Sequence, residues 1–274
     1  MTSATDPKIS SLALAAQADV LMITVEMLRS PQAIQSSPVE PWFSLPLGIL
    51  HDLLDTAFGP QLAAATSVPR DGTEPIEPPT LPEALAEVHE LAYQLDAEIW
   101  SDEYYRMFDS SQACALNQAS YIRRDKGTII GDVSGFYNAF GWQRNATRGE
   151  RPDNLLCQLE FVGVALAMAS QATDESQQNV VQDALAEFAR VHMHDWMAPV
   201  CYHLIDSTQI AFFGAVGQWI LLLWEKLTEA HAWPVDPVSN APLAPTIDLD
   251  DPYECGTPDL VQIQTKDIGQ ESLF

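Results

Sequence analysis

The sequence predicts an all-α fold, with roughly eight to ten helices in a single bundle-like domain. Apolar residues recur at three- and four-residue spacing through most of the chain. Capping residues and prolines punctuate those stretches. No alternating strand pattern of useful length occurs: the nearest runs, Thr128–Ile130 and Val261–Ile263, are too short for a sheet.

Taken in order, Ile9, Leu12, Ala16, Val20, Ile23 and Met27 give one face of a first helix, closed by Pro31. Residues 31–46, rich in proline and serine, read as a loop anchored by Trp42 and Phe43. A second helix covers 47–58 and stops at Gly59-Pro60, and 67–80 read as a proline-rich acidic linker. Thr80 and Glu83 form a capping box, with Pro82 in the first turn, and Leu81, Leu85, Val88, Ala92, Leu95 and Ile99 continue as one stripe. Ser101 is expected to cap a helix over 102–113, residues 117–131 to connect, and Asp132–Phe140 to form a short helix ended by Gly141. Pro152 opens a helix with Leu155, Leu159, Val162, Leu166 and Ala169 on one face. The next runs from Ser176 to about Trp196 with Val180, Ala184, Phe188 and Val191 inward, until Pro199 breaks the pattern. Thr208–Ala230 is the last long helix. The expected organisation is an N-terminal part, 1–80, belonging to the helical domain, a core, 81–233, and a mobile tail, 234–274, with 8 acids against 1 base. No internal repeat is present.

With 274 residues and 47% apolar composition the chain can bury a sizeable core. Its formal charge of −25, from 13 bases and 38 acids, argues against a nucleic-acid binder. The acidity suits a cationic partner, and equally a salty cytoplasm. The cysteines, 114, 157, 201 and 255, are too widely spaced for a C-x-x-C pair and read as reduced thiols. Asp19 and Glu26 interrupt the apolar stretch from Leu12 to Leu28, which is therefore not an export signal. No apolar run is long enough for a membrane span. A cytoplasmic protein is expected.

The densest set of possible metal ligands is His192, His194, Asp195, Cys201 and His203. On a helix, residues two apart point about 200° away from each other, so His192 and His194 oppose, as do Cys201 and His203. His194 and Cys201 share a face but stand about 10.5 Å apart along the axis, too far for one metal. No metal and no cofactor is expected. Nucleotide-binding glycine loops and a nucleophile elbow are absent, and no carboxylate pair stands out as acid and base. Nothing argues for an enzyme. A basic island, Arg123, Arg124, Lys126, Arg144, Arg148 and Arg151, reads as local charge balance.

Five stretches in order resemble one family: EYYRMF (103–108), QASYIRRDKG (118–127), VSGFYNAFGW (133–142), RPDNLLCQLEFVGVAL (151–166) and EFARVHMHDWMAP (187–199). They resemble the TorD/DmsD/NarJ redox-enzyme maturation chaperones over about residues 85–230. That resemblance implies an all-helical cytoplasmic protein. It would bind the catalytic molybdopterin subunit of a molybdenum oxidoreductase, often at its twin-arginine leader, until the cofactor is inserted. Asn154 stands where the family usually has histidine, which removes a titratable ring.

A leader receptor needs a carboxylate for arginine and an apolar groove. Asp153, beside Pro152 and Asn154, is either that acceptor or the cap of the following helix. Glu160 is either a second acceptor or the partner of Arg190. Tyr121, Tyr137, Phe140 and Trp142 either floor the groove or pack the core. His192 and Trp196, four apart, share a helix face. A general helical adaptor for a mature redox subunit is the alternative function. Both a monomer and a helix-swapped dimer suit the sequence.

Overall fold

The computed structural model describes residues 9–35, 37, 40–59, 79–109, 113–142 and 150–234. The 67–78 stretch, the Val261–Ile263 run, Cys255, Arg144, Arg148 and the tail beyond Pro234 lie outside them. The described residues are helical, with a single isolated bridge between Asn117 and Asn154 as their only β pairing. None of their helices is long and apolar enough to cross a membrane.

Helix α1 (Ser11–Met27) is capped by the Ser10 hydroxyl, which accepts from Ala13 N at 3.1 Å. It is buried around most of its circumference, through Leu14, Ala16, Gln17, Ala18, Val20, Leu21, Thr24 and Val25. Leu12, expected inward, is exposed. The buried polar groups of α1 are satisfied across helices: Gln17 donates to the Ala57 carbonyl at 2.9 Å, and Thr24 accepts the Trp219 indole N–H at 2.9 Å. Pro31 does more than close α1, since it begins a short helix, α2 (Pro31–Gln35). Trp42–Ser44 form a 3-10 turn, and α3 (Leu47–Phe58) ends at Gly59, whose φ of +55° a side chain would strain.

Helix α4 (Leu81–Gln94) opens with the expected capping box, Glu83 accepting from Thr80 N at 2.7 Å. It stops at Leu95, because Asp96 caps a new helix, α5 (Ala97–Phe108), accepting from Glu98 N at 2.9 Å and Ile99 N at 3.1 Å. The stripe to Ile99 and the start at Ser101 are thus corrected. Helix α6 (Lys126–Ala139) begins six residues before the expected Asp132, because Asp125 accepts from Thr128 N at 2.7 Å. Helix α7 (Leu155–Ser170) is capped by Asn154. Helix α8 (Glu175–Phe188) runs through a π turn, Ala189–Met193, into α9 (His194–Ser207). The inward face of α8 is Gln178, Leu185 and Phe188, and Val180 is exposed. Pro199 sits inside α9 rather than ending it: the burial of Trp196, Met197, Val200, Cys201 and Leu204 outweighs a proline penalty of about 3 kcal/mol. Helix α10 is Ala211–His231.

The core is organised by two helices. α1 packs against α7 and α3, while α10 packs against α9 and α4. The α9–α10 crossing is close at Gly217, where an added Cβ would stand 2.9 Å from Ile205 Cγ1 and 3.0 Å from the Cys201 carbonyl oxygen.

Candidate functional site

Two of the sequence motifs are strapped together by polar contacts. Leu155 N donates to the Leu116 carbonyl at 2.7 Å, and Gln118 N to the Asp153 carbonyl at 2.8 Å. Side chains reinforce this: Asn154 Nδ2 donates to Asn117 Oδ1 at 3.2 Å, and Gln158 Nε2 to Gln118 Oε1 at 2.9 Å. Asp153 lies at the centre and is 0% exposed. Its carboxylate accepts from Arg151 Nε (2.9 Å), Arg151 Nη2 (2.8 Å) and Ala119 N (3.1 Å). Asp153 is therefore not the cap of α7: Asn154 is, accepting from Leu156 N at 3.0 Å. The arginine that Asp153 holds comes from its own chain.

An aromatic cluster rests on the strap. The Tyr137 hydroxyl donates to the Pro152 carbonyl at 2.7 Å. Its ring lies 4.4 Å from Trp142 and 4.9 Å from Phe161. Phe140 meets Phe161 at 5.2 Å, and Phe161 meets Phe188 at 4.6 Å. His192 follows, 5.3 Å from Phe188 and 5.5 Å from Phe136. It is 1% exposed, and neither ring nitrogen has a hydrogen-bond partner among the described residues. Burial lowers its pKa to about 4, so the imidazole is neutral at pH 7. The His192 carbonyl accepts the Trp196 indole N–H at 2.6 Å, and Trp196 lies 5.7 Å from Tyr121. The Tyr121 hydroxyl donates to the Ala115 carbonyl at 2.7 Å and meets His203 Nδ1 at 2.9 Å.

Nine of the ten residues singled out in the sequence thus form one connected body. Glu160 stands outside it. It pairs with Arg29 at 3.1 Å, whereas Arg190, its expected partner, pairs with Glu187 at 2.6 Å. Asp153, Tyr121, Tyr137, His192 and Trp196 are buried, while Pro152, Asn154, Glu160, Phe140 and Trp142 reach the surface in part. The His192–His203 string was not expected to hold a metal. Among the described residues no three His, Cys, Asp or Glu side chains are grouped to hold a metal. Burial pushes the Cys114 thiol up to about 12 and the Cys201 thiol up as well, so neither is a ready nucleophile.

Sequence reading missed Glu103, which it placed in the first turn of a helix over 102–113 with no function. Glu103 lies inside α5, buried, accepting from Arg106 Nε and Nη2 at 2.6 Å each. It also accepts from Thr208 Oγ1 at 3.0 Å and from Gln209 N, tying α5 to the turn before α10. Burial opposes its charge, but these hydrogen bonds outweigh that and hold its pKa below the usual carboxylate value. The signal was the Glu-x-x-Arg spacing, which permits an i,i+3 pair but says nothing of the distant Gln209.

Residues 76–202 match the family model described as nitrate reductase delta subunit. This segment is similar to the nitrate reductase delta subunit family. It agrees with the resemblance to the NarJ/TorD-like chaperones carried by the five motifs. The delta-family segment holds α4 to α9 almost entirely, with the strap and the aromatic cluster, and leaves out α1, α2, α3 and α10. A perchlorate reductase assembly chaperone protein of Dechloromonas aromatica (strain RCB) is 28% identical over 121 residues. These cover 43% of this chain and 52% of that relative, so the likeness spans about half of the relative's length. No solved structure matches the chain significantly.

Proposed function

We propose that the protein is a cytoplasmic assembly chaperone, not an enzyme, for the catalytic subunit of a molybdenum oxidoreductase. It holds the apo subunit, by its twin-arginine leader where one is present, until the molybdenum cofactor has been inserted. The observation that carries this reading is the family match over 76–202, which contains every one of the ordered motifs. The relative named as an assembly chaperone supports it. The partly exposed edges of Pro152, Asn154, Phe140 and Trp142, with Glu160 apart from them, are the client-facing groups in this reading, and the buried Asp153, Tyr121, Tyr137, His192 and Trp196 frame the first four. A strongly acidic body suits a leader that begins with arginines.

The test is co-purification of this chain with an apo molybdopterin subunit, with and without its leader. The expected result is a one-to-one complex formed with the leader and weakened by salt, because exposed arginine–carboxylate contacts are screened. A complex formed equally well without the leader would transfer the reading to an adaptor for the mature subunit. No complex with either form would refute it.

A further inference from the structure

Both carboxylates that the sequence offers to a client arginine, Asp153 and Glu160, already hold an arginine of this chain, and the two pairs differ in kind. Arg151 meets Asp153 through two nitrogens, at 2.9 and 2.8 Å, and the Ala119 amide shares the carboxylate at 3.1 Å. Asp153 is 0% exposed, so an outside group reaches it only by unpacking the strap. Arg29 meets Glu160 through Nη2 at 3.1 Å and Glu26 through Nη1. The side chains of Arg29, Glu160 and Glu26 are 21%, 14% and 32% exposed, so water and solutes reach this trio without any unpacking.

The trio lies on the seam between α1 and α7. Glu26 is in the last turn of α1, Arg29 stands just beyond that helix, and Glu160 is in the second turn of α7. Gly163, about one turn on from Glu160, lies against Ala18, Leu21 and Met22, which sets Glu160 beside the C-terminal end of α1. The next residue, Ser30, caps α2 and accepts from Ala33 N at 3.2 Å. Arg29 is therefore carried on a short link between two helices, outside the 76–202 match, whereas Glu160 lies inside it.

Two carboxylates share one guanidinium here, which leaves the trio net negative. Partly exposed ion pairs are weak and exchange with outside ions, while buried pairs are costly to break. An outside guanidinium offers Glu160 the same fork that Arg29 does. Arg29 competes from a short tether, and so at high effective concentration. A segment with a single base gains little from the exchange. One that brings a second base for Glu26 gains more.

We propose that Arg29 is an internal competitor, which occupies the Glu26 and Glu160 carboxylates in the free protein and yields them to a multiply basic client segment. The proposal rests on the client-binding reading and adds a threshold to it: the chain's own arginine sets how basic a partner has to be. Glu160 is then the exchangeable acceptor and Asp153 the fixed one.

The test uses the full chain and two fluorescein-labelled synthetic peptides, each with a run of leucine and alanine, one headed by two arginines and the other by one. Fluorescence anisotropy reads binding. Arg29→Met removes the guanidinium and keeps much of the stem, and Arg29→Lys keeps a charge without the fork. Circular dichroism and urea unfolding establish that each variant is folded. Arg29→Met is expected to lower Kd for the one-arginine peptide about tenfold, equivalent to about 1.4 kcal/mol, and for the two-arginine peptide by less. Arg29→Lys should give a smaller gain of about threefold. Adding Glu160→Gln should abolish both gains. A folded Arg29→Met protein with unchanged or weaker affinity would overturn the competitor and make Arg29 a pin between α1 and α7, while the client reading stood. Should Arg29→Met not fold, Arg29→Lys carries the same decision. A gain that survives Glu160→Gln would also overturn the proposal. So would the absence of peptide binding to the wild type and every variant, and leader-dependent co-purification would then decide the client reading separately.

Discussion

Asp153→Ala is expected to weaken the fold rather than client binding alone. The substitution removes the acceptor of two Arg151 hydrogen bonds, at 2.9 and 2.8 Å, and of the Ala119 amide at 3.1 Å. It takes the carboxylate away from a guanidinium whose side chain is 18% exposed. Removing one partner of a buried pair costs about 3–5 kcal/mol. The residual exposure of Arg151 puts the loss at the lower end, about 3 kcal/mol, a fall in melting temperature of about 6–12 °C for a domain of this size. Urea unfolding should show a lower midpoint with an unchanged slope. In a double-mutant cycle, Arg151→Met should cost much less once Asp153 is already alanine. An Asp153→Ala protein of wild-type stability with tenfold weaker client affinity would refute this. It would mean that the carboxylate leaves Arg151 to take an arginine from the client.

Three further outcomes follow from the packing. Glu103→Gln should cost about 1.5–3 kcal/mol at pH 7, since hydrogen bonds to a charged group are lost. Because the folded pKa of Glu103 is lowered, its contribution is present above the unfolded value of about 4.3 and disappears as pH falls through the folded value. Acid titration of stability should be shallower in the variant. His192 is depressed to about 4 by burial, so an unfolded chain that protonates near 6.5 draws stability away as pH falls from about 6.5 towards 4. His192→Phe, set among Phe136 and Phe188, should keep pH 7 stability within about 1 kcal/mol and lose part of that acid dependence. His231, also depressed to about 4, and His203, likewise lowered by burial, retain the rest, as paired unfolding curves at pH 7 and 5 will show. Gly217→Ala should lower stability by about 1–2 kcal/mol in urea, the crowding against Ile205 and Cys201 exceeding the gain in helix propensity.

Helical class and several boundaries were legible because they are local. The Thr80–Glu83 box and the Gly59 stop depend on residues within one turn of each other. The break at Leu95–Asp96 was hidden because the apolar spacing continues across it, and only the choice of Asp96 as a cap decides the matter. The start of α6 was hidden by Gly127 and Gly131, which lower helix propensity but are tolerated inside the formed helix. The rotation of α8, which exposes Val180, and the continuity through Pro199 follow from packing that has no one-dimensional signature. For the candidate site, the residues were found but their roles were not. Asp153 is recognisable as a carboxylate beside a helix start, yet its engagement with Arg151 and the 117–120 turn depends on two segments meeting 34 residues apart. Glu160 was open between a client arginine and Arg190, and the partner it takes is neither of these but Arg29, 131 residues away.

The burial of α1 on almost every side bears on how such chains change over time. The stretch most recognisable by likeness is not the one that can stand by itself. Cut free at 76 and 202, it would lose both the helix packed along α7 and the last long helix laid across α4 and α9, and would show water the oily faces they cover. Ancestry is most readable in the middle of this molecule, while cohesion depends on its two flanks.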